Sequence, residues 1–284
     1  MQRTFVAIIG CLMLAGAIAA QDRPLRTSDA ETAPAGTLRA EIGFDFLQEA
    51  GFPLSGLGGD ETRAGVINLR MGVGRIAEVE LDGAIQNFLD VKSRGTSLVP
   101  DLQLTGVNST HDIGDFTLAT KVRLLRTEGK RPGLALKFGF MMPNSNQARG
   151  IGTNTTNVFA LLALEEQIRK LTIFGNAGIE VLQAPNALFS QNDVFLYGGA
   201  FRYPVYRRVN LVGEVNGWYS PRNINDALIG TQSTGQARLG LQIFAGGFTW
   251  DIAGIRGINK YDPRSGFTFG VSRDFKLFDF GRVQ

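Results

Sequence analysis

Cysteine and histidine are almost missing from this chain: its 284 residues include one of each, Cys11 and His111. A disulfide needs two cysteines and a structural zinc site about four Cys or His ligands, so both are excluded. Charged residues are scarce, at 19%, and there are two tryptophans. After residue 20 no run of 18 uncharged apolar residues occurs, which removes any membrane-spanning helix. Glycine is abundant instead, with 36 residues where a usual share is about 7%, and phenylalanine follows with 20. A mean hydropathy of +0.01 is too apolar for a disordered chain and too polar for a bundle of membrane helices.

Residues 1–20 have the layout of a secretory signal. Arg3 is the positive n-region, Phe5 to Leu14 is uncharged and apolar, and Ala17-Ile18-Ala19 is a small-x-small site. Cleavage is expected near Ala19/Ala20. Ile8-Ile9-Gly10-Cys11 also fits a lipobox, but only six apolar residues precede Cys11 and the apolar stretch continues past it. Cleavage removes Cys11 and leaves 28 basic against 26 acidic residues, a balance of +2. Dispersed basic residues and so small a net charge argue against a nucleic-acid partner. An exported chain with no spanning helix is soluble or crosses a membrane as a β-barrel.

Period-2 alternation decides between helix and strand. In 37–47, Leu38, Ala40, Ile42, Phe44 and Phe46 alternate with Arg39, Glu41, Gly43 and Asp45. In 65–73, Ile67, Leu69, Met71 and Val73 alternate with Asn68 and Arg70. Across a tight Gly74-Arg75 turn, 77–85 sets Val79 and Leu81 against Glu78, Glu80 and Asp82. The same pattern predicts strands at 116–125, 134–142, 156–164, 171–182, 194–203, 209–219, 235–244, 248–256 and 267–275. That makes twelve, each about as long as a tilted transmembrane strand requires. The links alternate long (48–64, 90–115, 143–155, 183–193, 220–234, 257–266) with short. The fold class expected is all-β: a single antiparallel transmembrane β-barrel over 37–284, preceded by a periplasmic polar tail, 21–36, and the signal at 1–20. A soluble sandwich gives no reason for such regular loop lengths. Phe195, Tyr197, Phe201 and Tyr203 on one face, Phe248 with Trp250, and Phe267 with Phe269 fit aromatic girdles.

One stretch resembles a known group. Gly114-Asp115-Phe116 leads to Lys121 and Leu124, then Gly129, Pro132-Gly133 and Leu134 to Pro143. This is similar to the outer-membrane proteins linked to the meta-pathway of phenol degradation, described as transporters, with a looser likeness over about 37–275. Asn144-Ser145 stand where that group places small residues and Gly, and nine residues follow Phe275 where the group ends near an aromatic. The resemblance implies uptake of small compounds, aromatic ones among the candidates, and does not name the compound.

If the apolar faces meet lipid, the charged faces meet in the lumen. The candidate pore-lining residues are then Arg39, Glu41, Asp45, Arg70, Glu78, Glu80 and Asp82 from the first three strands. Lys121, Arg123, Lys137, Glu180, Arg202, Glu214 and Arg238 come from the later ones. An acidic wall opposite a basic wall would set a transverse field for dipolar solutes; alternatively the charges pair and satisfy one another. Twelve strands give a backbone radius of roughly 12 Å, which favours pairing. The doubly apolar strands 156–164 (Phe159, Leu161, Leu162) and 194–203 (Val194, Leu196) suit either a greasy lumen patch or contact with a plug made by the N-terminal tail or a loop.

Other motifs carry less. Gly72-Val73-Gly74-Arg75-Ile76-Ala77 fits a dinucleotide fingerprint, but a strand follows it where a helix is required. His111 beside Ser109, Thr110 and Asp112 would serve an outer-membrane lipid hydrolase only if the fold made a base and nucleophile of them, and no G-x-S-x-G elbow occurs. Asp60, Glu61 and Asp226 could bind calcium but lack EF-hand spacing. Asn108 and Asn154 open glycosylation patterns without consequence for a bacterial barrel. No cofactor or metal is expected and no catalytic residue is assigned. The expected partners are outer-membrane lipid and a small-molecule solute, and the expected function is passive transport of small apolar or aromatic molecules. A closed structural or surface-interaction barrel is the alternative, and a lipid-modifying enzyme a third reading.

Overall fold

The structure, a computed structural model, describes residues 23–278 except 130, 189 and 223–231. The signal segment, its cleavage site, Cys11 and Asp226 therefore lie outside the described residues. Thirteen strands form one sheet: β1 (Thr37–Phe52), β2 (Leu57–Val73), β3 (Ala77–Arg94), β4 (Ser109–Asp112), β5 (Thr117–Leu125), β6 (Gly133–Met141) and β7 (Val158–Ile168). They are followed by β8 (Leu171–Leu182), β9 (Asn192–Tyr206), β10 (Val209–Tyr219), β11 (Thr234–Ala245), β12 (Phe248–Gly257) and β13 (Ser265–Lys276). All pairings are antiparallel between neighbours, and β1 pairs with β13 from Thr37–Lys276 to Gln48–Ser265, which closes the sheet into a barrel. Twelve strands make the wall. The short β4 pairs with the outer end of β3, above the stretch where β3 pairs with β5.

The two faces are inverted relative to a soluble protein. On β1, Glu41 is 2% exposed and its neighbour Ile42 is 46% exposed. The same alternation leaves Val79, Leu162, Ile179, Leu239, Trp250 and Ile252 on the outside while Glu78, Glu80, Lys121 and Arg238 are buried. Only an apolar surrounding stabilises such an exterior, and closure leaves no unpaired strand edge inside it. Outside, Phe44 stacks on Phe269 (5.3 Å between centroids) and Phe46 on Phe267 (4.7 Å).

The first three strands overrun the predicted spans. The stretch 48–64, expected as a long loop, is mostly strand with a turn between Phe52 and Leu57. Much of 90–115 is also ordered, as the end of β3 and as β4. Gly58-Gly59 and the register shifts between Leu47 and Ala50 and between Gly58 and Gly59 interrupt the alternation there, which hid the strands from a period-2 reading. At the other end the β11–β12 turn is Gly246-Gly247, both at positive φ (64° and 77°), the backbone of a two-residue hairpin that glycine adopts without strain.

Above the barrel body, at the loop end, Leu57, Leu89 and Val91 bury against Phe52, Leu102, Leu104 and Ile151. Loop-to-loop bonds hold this cap: Ser55 Oγ donates to the Gly150 carbonyl (2.6 Å), Thr110 Oγ1 to that of Arg149 (2.9 Å) and Asn186 Nδ2 to that of Leu98 (3.0 Å).

Candidate functional site

The segment expected as a periplasmic polar tail, with a plug made by that tail left open as an alternative, lies inside the barrel. Following residues 36 down to 23, the chain meets the walls in order round the barrel. The Ala33 amide donates to Glu78 on β3, and Glu31 accepts from Arg123 on β5 (2.6 Å). Asp29 accepts from Lys121 on β5 (2.7 Å), and the Ala30 amide donates to Glu165 on β7 (3.3 Å). Asn176 on β8 clamps Ser28 at both backbone groups, accepting from its N–H and donating to its carbonyl, each at 2.8 Å. Glu214 on β10 accepts from the amides of Arg26 and Thr27 (2.8 Å each) and from Thr27 Oγ1 (2.9 Å). Arg238 and Gln242 on β11 donate to the carbonyls of Pro24 (3.0 Å) and Arg23 (2.6 Å). Arg23 itself reaches Asp251 on β12 (3.4 Å) and Thr268 on β13 (2.8 Å). A segment bonded to β3, β5, β7, β8, β10, β11, β12 and β13 of a closed barrel can only run within its lumen.

The correction has a physical reason. Residues 22–36 are polar, and a polar segment looks alike whether solvent or a charged lumen satisfies it. The lumen wall is also cut back to admit it. Gly43 and Gly270 are register partners on β1 and β13, and a Cβ on Gly43 would come 2.3 Å from Arg23 Nη2 and one on Gly270 2.5 Å from Arg23 Nε. Part of the glycine excess thus makes room for an arginine.

The predicted charges largely face inward, but many are covered rather than open to a path. Lys121, fully buried, joins Asp29 (2.7 Å) and Glu78 (2.8 Å), and Lys137 joins Glu80 (2.7 Å). Arg70 lies 3.7 Å from Glu41, Arg39 pairs with Asp274 (2.8 Å), and Arg238 lies 3.6 Å from Glu214. Arg202 stacks over the ring of Phe174 (5.3 Å), and Glu180 stands on β8 between Phe159 and Val194. The acidic face of β3 therefore meets the basic residues of β5 and β6 as neighbours along the wall, so pairing replaces the transverse field. Such pairs roughly offset their own desolvation and fix geometry more than they add stability. Burial pushes the Asp29 carboxyl up, but the charges of Lys121 and Arg70 and the Lys121 hydrogen bond outweigh it, leaving it below its ordinary value. Residues missed from sequence are Arg23, Asp29, Glu165, Asn176, Gln242, Asp251 and Thr268. Asp251 was readable, standing between the outward Trp250 and Ile252.

Cavities remain on the loop-end side of the segment, and two of them bear on function. The larger, about 340 Å³, is lined by Leu161, Leu196 and Trp218 together with Asn176, Asn216 and the backbone of Gly198. The smaller, about 150 Å³, is polar and takes in Glu41, Asp45, Arg63, Asp82, Lys137 and Arg238. Arg26, 3.5 Å from Asp45, lies between them. Leu161 also packs against Ala30, Ala135 and Ala163, so the doubly apolar β7 is a plug contact and a cavity wall together.

His111 stands on β4 at the loop end, where its Nδ1 lies 3.0 Å from the Gln86 amide and its ring 5.9 Å from that of Phe88. Neither neighbour is a nucleophile. Asp60 is paired with Lys92. Among the described residues no group of three or more His, Cys, Asp or Glu side chains could hold a metal ion.

No protein-family model matches the chain, and no curated protein matches it. Solved structures do. An outer-membrane channel from Pseudomonas putida F1 superposes with a TM-score of 0.64 at 15% identity, over 87% of this chain and 98% of that one. The NanC porin superposes with a TM-score of 0.50 at 11% identity, over 83% and 97%. The fold is that of an outer-membrane β-barrel. Identities this low establish architecture alone, so what passes through the barrel has to be argued from its lumen.

Proposed function

We propose that this chain is an outer-membrane channel for small solutes with an apolar or aromatic body, held shut in the described state by its own residues 23–36. The observation that carries the reading is the 340 Å³ cavity above that segment. It combines an indole and two leucines with amide groups, the usual mixture of an organic-solute site. Asn216 Nδ2 is buried there without a hydrogen-bond partner among the described residues. A solute acceptor would satisfy it. The resemblance to the phenol-degradation group supports an aromatic solute, and the short turns, gathered at the end where β1 begins and β13 finishes, support an orientation with that end in the periplasm.

The closed structural barrel is the second reading, favoured by the ring of bonds that holds the segment. The two separate on deletion of residues 23–34 from the full chain. Refolded into a planar bilayer, the deletion variant should show stable conductance steps, and proteoliposomes carrying it should admit a monocyclic aromatic solute. A folded, inserted deletion variant that stays silent and impermeable would overturn the channel.

A further inference from the structure

The turn end carries a charge pattern that neither transport nor the lumen uses. The β5–β6 turn bears Arg126 and Arg131, the β7–β8 turn Arg169-Lys170 and the β9–β10 turn Arg207-Arg208, all six exposed. These turns are consecutive round the rim, so the cations form one continuous arc. Among the described residues of these three turns Glu128 is the one acidic residue, Glu166 lies three positions before Arg169 at the end of β7, and none of the six cations is ion-paired. The loop end mixes its signs and pairs them instead, as in Lys92 with Asp60 and Arg264 with Glu49.

Immediately above the cations on the outer face stand Leu124, Ile168 and Tyr206, all exposed. The charges therefore sit one residue or two beyond the apolar belt, at headgroup depth. A seventh cation shows the same placement from the wall itself. Arg273 on the outward face of β13 lies over the rings of Phe248 (4.8 Å) and Phe275 (5.4 Å), held at the boundary by two aromatic faces.

We infer that this rim is a docking surface for anionic phospholipid headgroups, its arginines and lysine engaging lipid phosphates of the leaflet at the turn end. The inference rests on the barrel spanning a membrane and is independent of whether it conducts. Unpaired cations spread over three turns suit a layer of separate phosphates, and their proximity to lipid-facing side chains favours lipid over a partner protein.

The test uses the detergent-folded full chain, titrated with phosphatidylglycerol or phosphatidylcholine and read by native mass spectrometry. The expected result is at least about tenfold tighter binding of phosphatidylglycerol at low salt, collapsing near 1 M salt, where screening reaches about 3 Å. The variant Arg169→Asn, Lys170→Gln, Arg207→Gln, Arg208→Gln should bring the two lipids within about twofold. Removing four loop-end cations (Arg222, Arg256, Lys260 and Arg264, each to Gln) should leave the preference intact. Equal binding by the unaltered protein, which requires no variant to fold, would overturn the proposal and turn attention to an acidic protein partner. Equal loss in both variants would overturn it too, as a net-charge effect.

Discussion

Replacing Glu214 by alanine tests the lumenal segment where its hold is most concentrated. The carboxylate is 4% exposed and accepts from two backbone amides and one hydroxyl of the segment while lying 3.6 Å from Arg238. Each hydrogen bond to a charged group contributes roughly 1.5–3 kcal/mol. The contributions are not additive, and removing one member of a buried pair costs about 3–5 kcal/mol. Spent entirely on the docked state, that range shifts the released-to-docked ratio by about a hundredfold to a few thousandfold. The barrel should survive, because the backbone pairing of β10 to β9 and β11 does not involve the side chain. Trypsin reads the outcome: a released segment exposes the bond after Arg26, whose amide is now tied to Glu214. Cleavage should accelerate by at least a hundredfold and conductance bursts should appear, while Val215→Ala, on the outward face of the same strand, changes neither. A folded Glu214→Ala barrel cleaved at the native rate would refute the account of how the segment is held.

Other consequences follow from the same geometry. Arg23→Gln removes the reach to Asp251 and Thr268, so it should raise tryptic cleavage after Arg26 by tenfold or more; an unchanged rate would show that Arg23 is not an anchor. Trp250→Phe leaves Trp218 as the single indole, and a monocyclic aromatic solute should quench it, with weaker binding after Asn216→Ala; absence of quenching in a segment-deleted barrel would count against the cavity as a solute site. Asp29 lies below its ordinary value of 3.8, so the stabilisation it lends is complete above that pH and fades as pH falls through the lower docked value. Protection of the segment from an acid-active protease should therefore decline below about pH 4, and a segment protected equally at pH 5 and pH 3 would refute the role given to Asp29. Phe269→Arg, on the lipid face, should destabilise the barrel by about 2–4 kcal/mol if the site lies near mid-membrane, measured by urea titration in vesicles.

The wall was legible in sequence because a barrel in lipid obeys the period-2 rule twice, once for each face. Glu41 and Ile42, or Glu80 and Val79, cannot exchange places without burying charge in hydrocarbon, so alternation predicts orientation as well as strand. What was hidden had no period. Nothing in residues 23–34 distinguishes a solvated tail from a lumenal segment, because hydrogen bonds to Asn176 or Glu214 satisfy backbone as water would. Their donors and acceptors were visible one at a time, but which strand stands opposite which follows only from closure. The extension of β1 to β3 was lost for a related reason: glycines and bulges remove the alternation at the point where the strands leave the membrane and no longer need it.

The chemistry of the segment bears on whether it can leave. An apolar plug would be held by burial at roughly 25 cal/mol per Å² and would resist release in proportion to its area. This one has few apolar anchors. Leu25 packs on Phe174, Ala200 and Val212, and Ala30 on Ala135 and Ala163. Its other contacts are polar, and water entering the lumen can replace them at little net cost, since buried ion pairs roughly break even against hydration. Removing a single wall carboxylate strands its partners and is expensive, but withdrawing the whole segment hydrates every partner together. The hold is therefore specific in position and modest in depth, and Leu25 supplies a large share of what hydration cannot replace, about 1.5–3 kcal/mol. Leu25→Asn should then raise the frequency of spontaneous openings by about tenfold or more while leaving the docked geometry, read by crosslinking Ser28 to Asn176 after cysteine substitution of both, unchanged. If openings do not respond to Leu25→Asn, the segment is held by its polar contacts after all, and its release would cost far more than this balance allows.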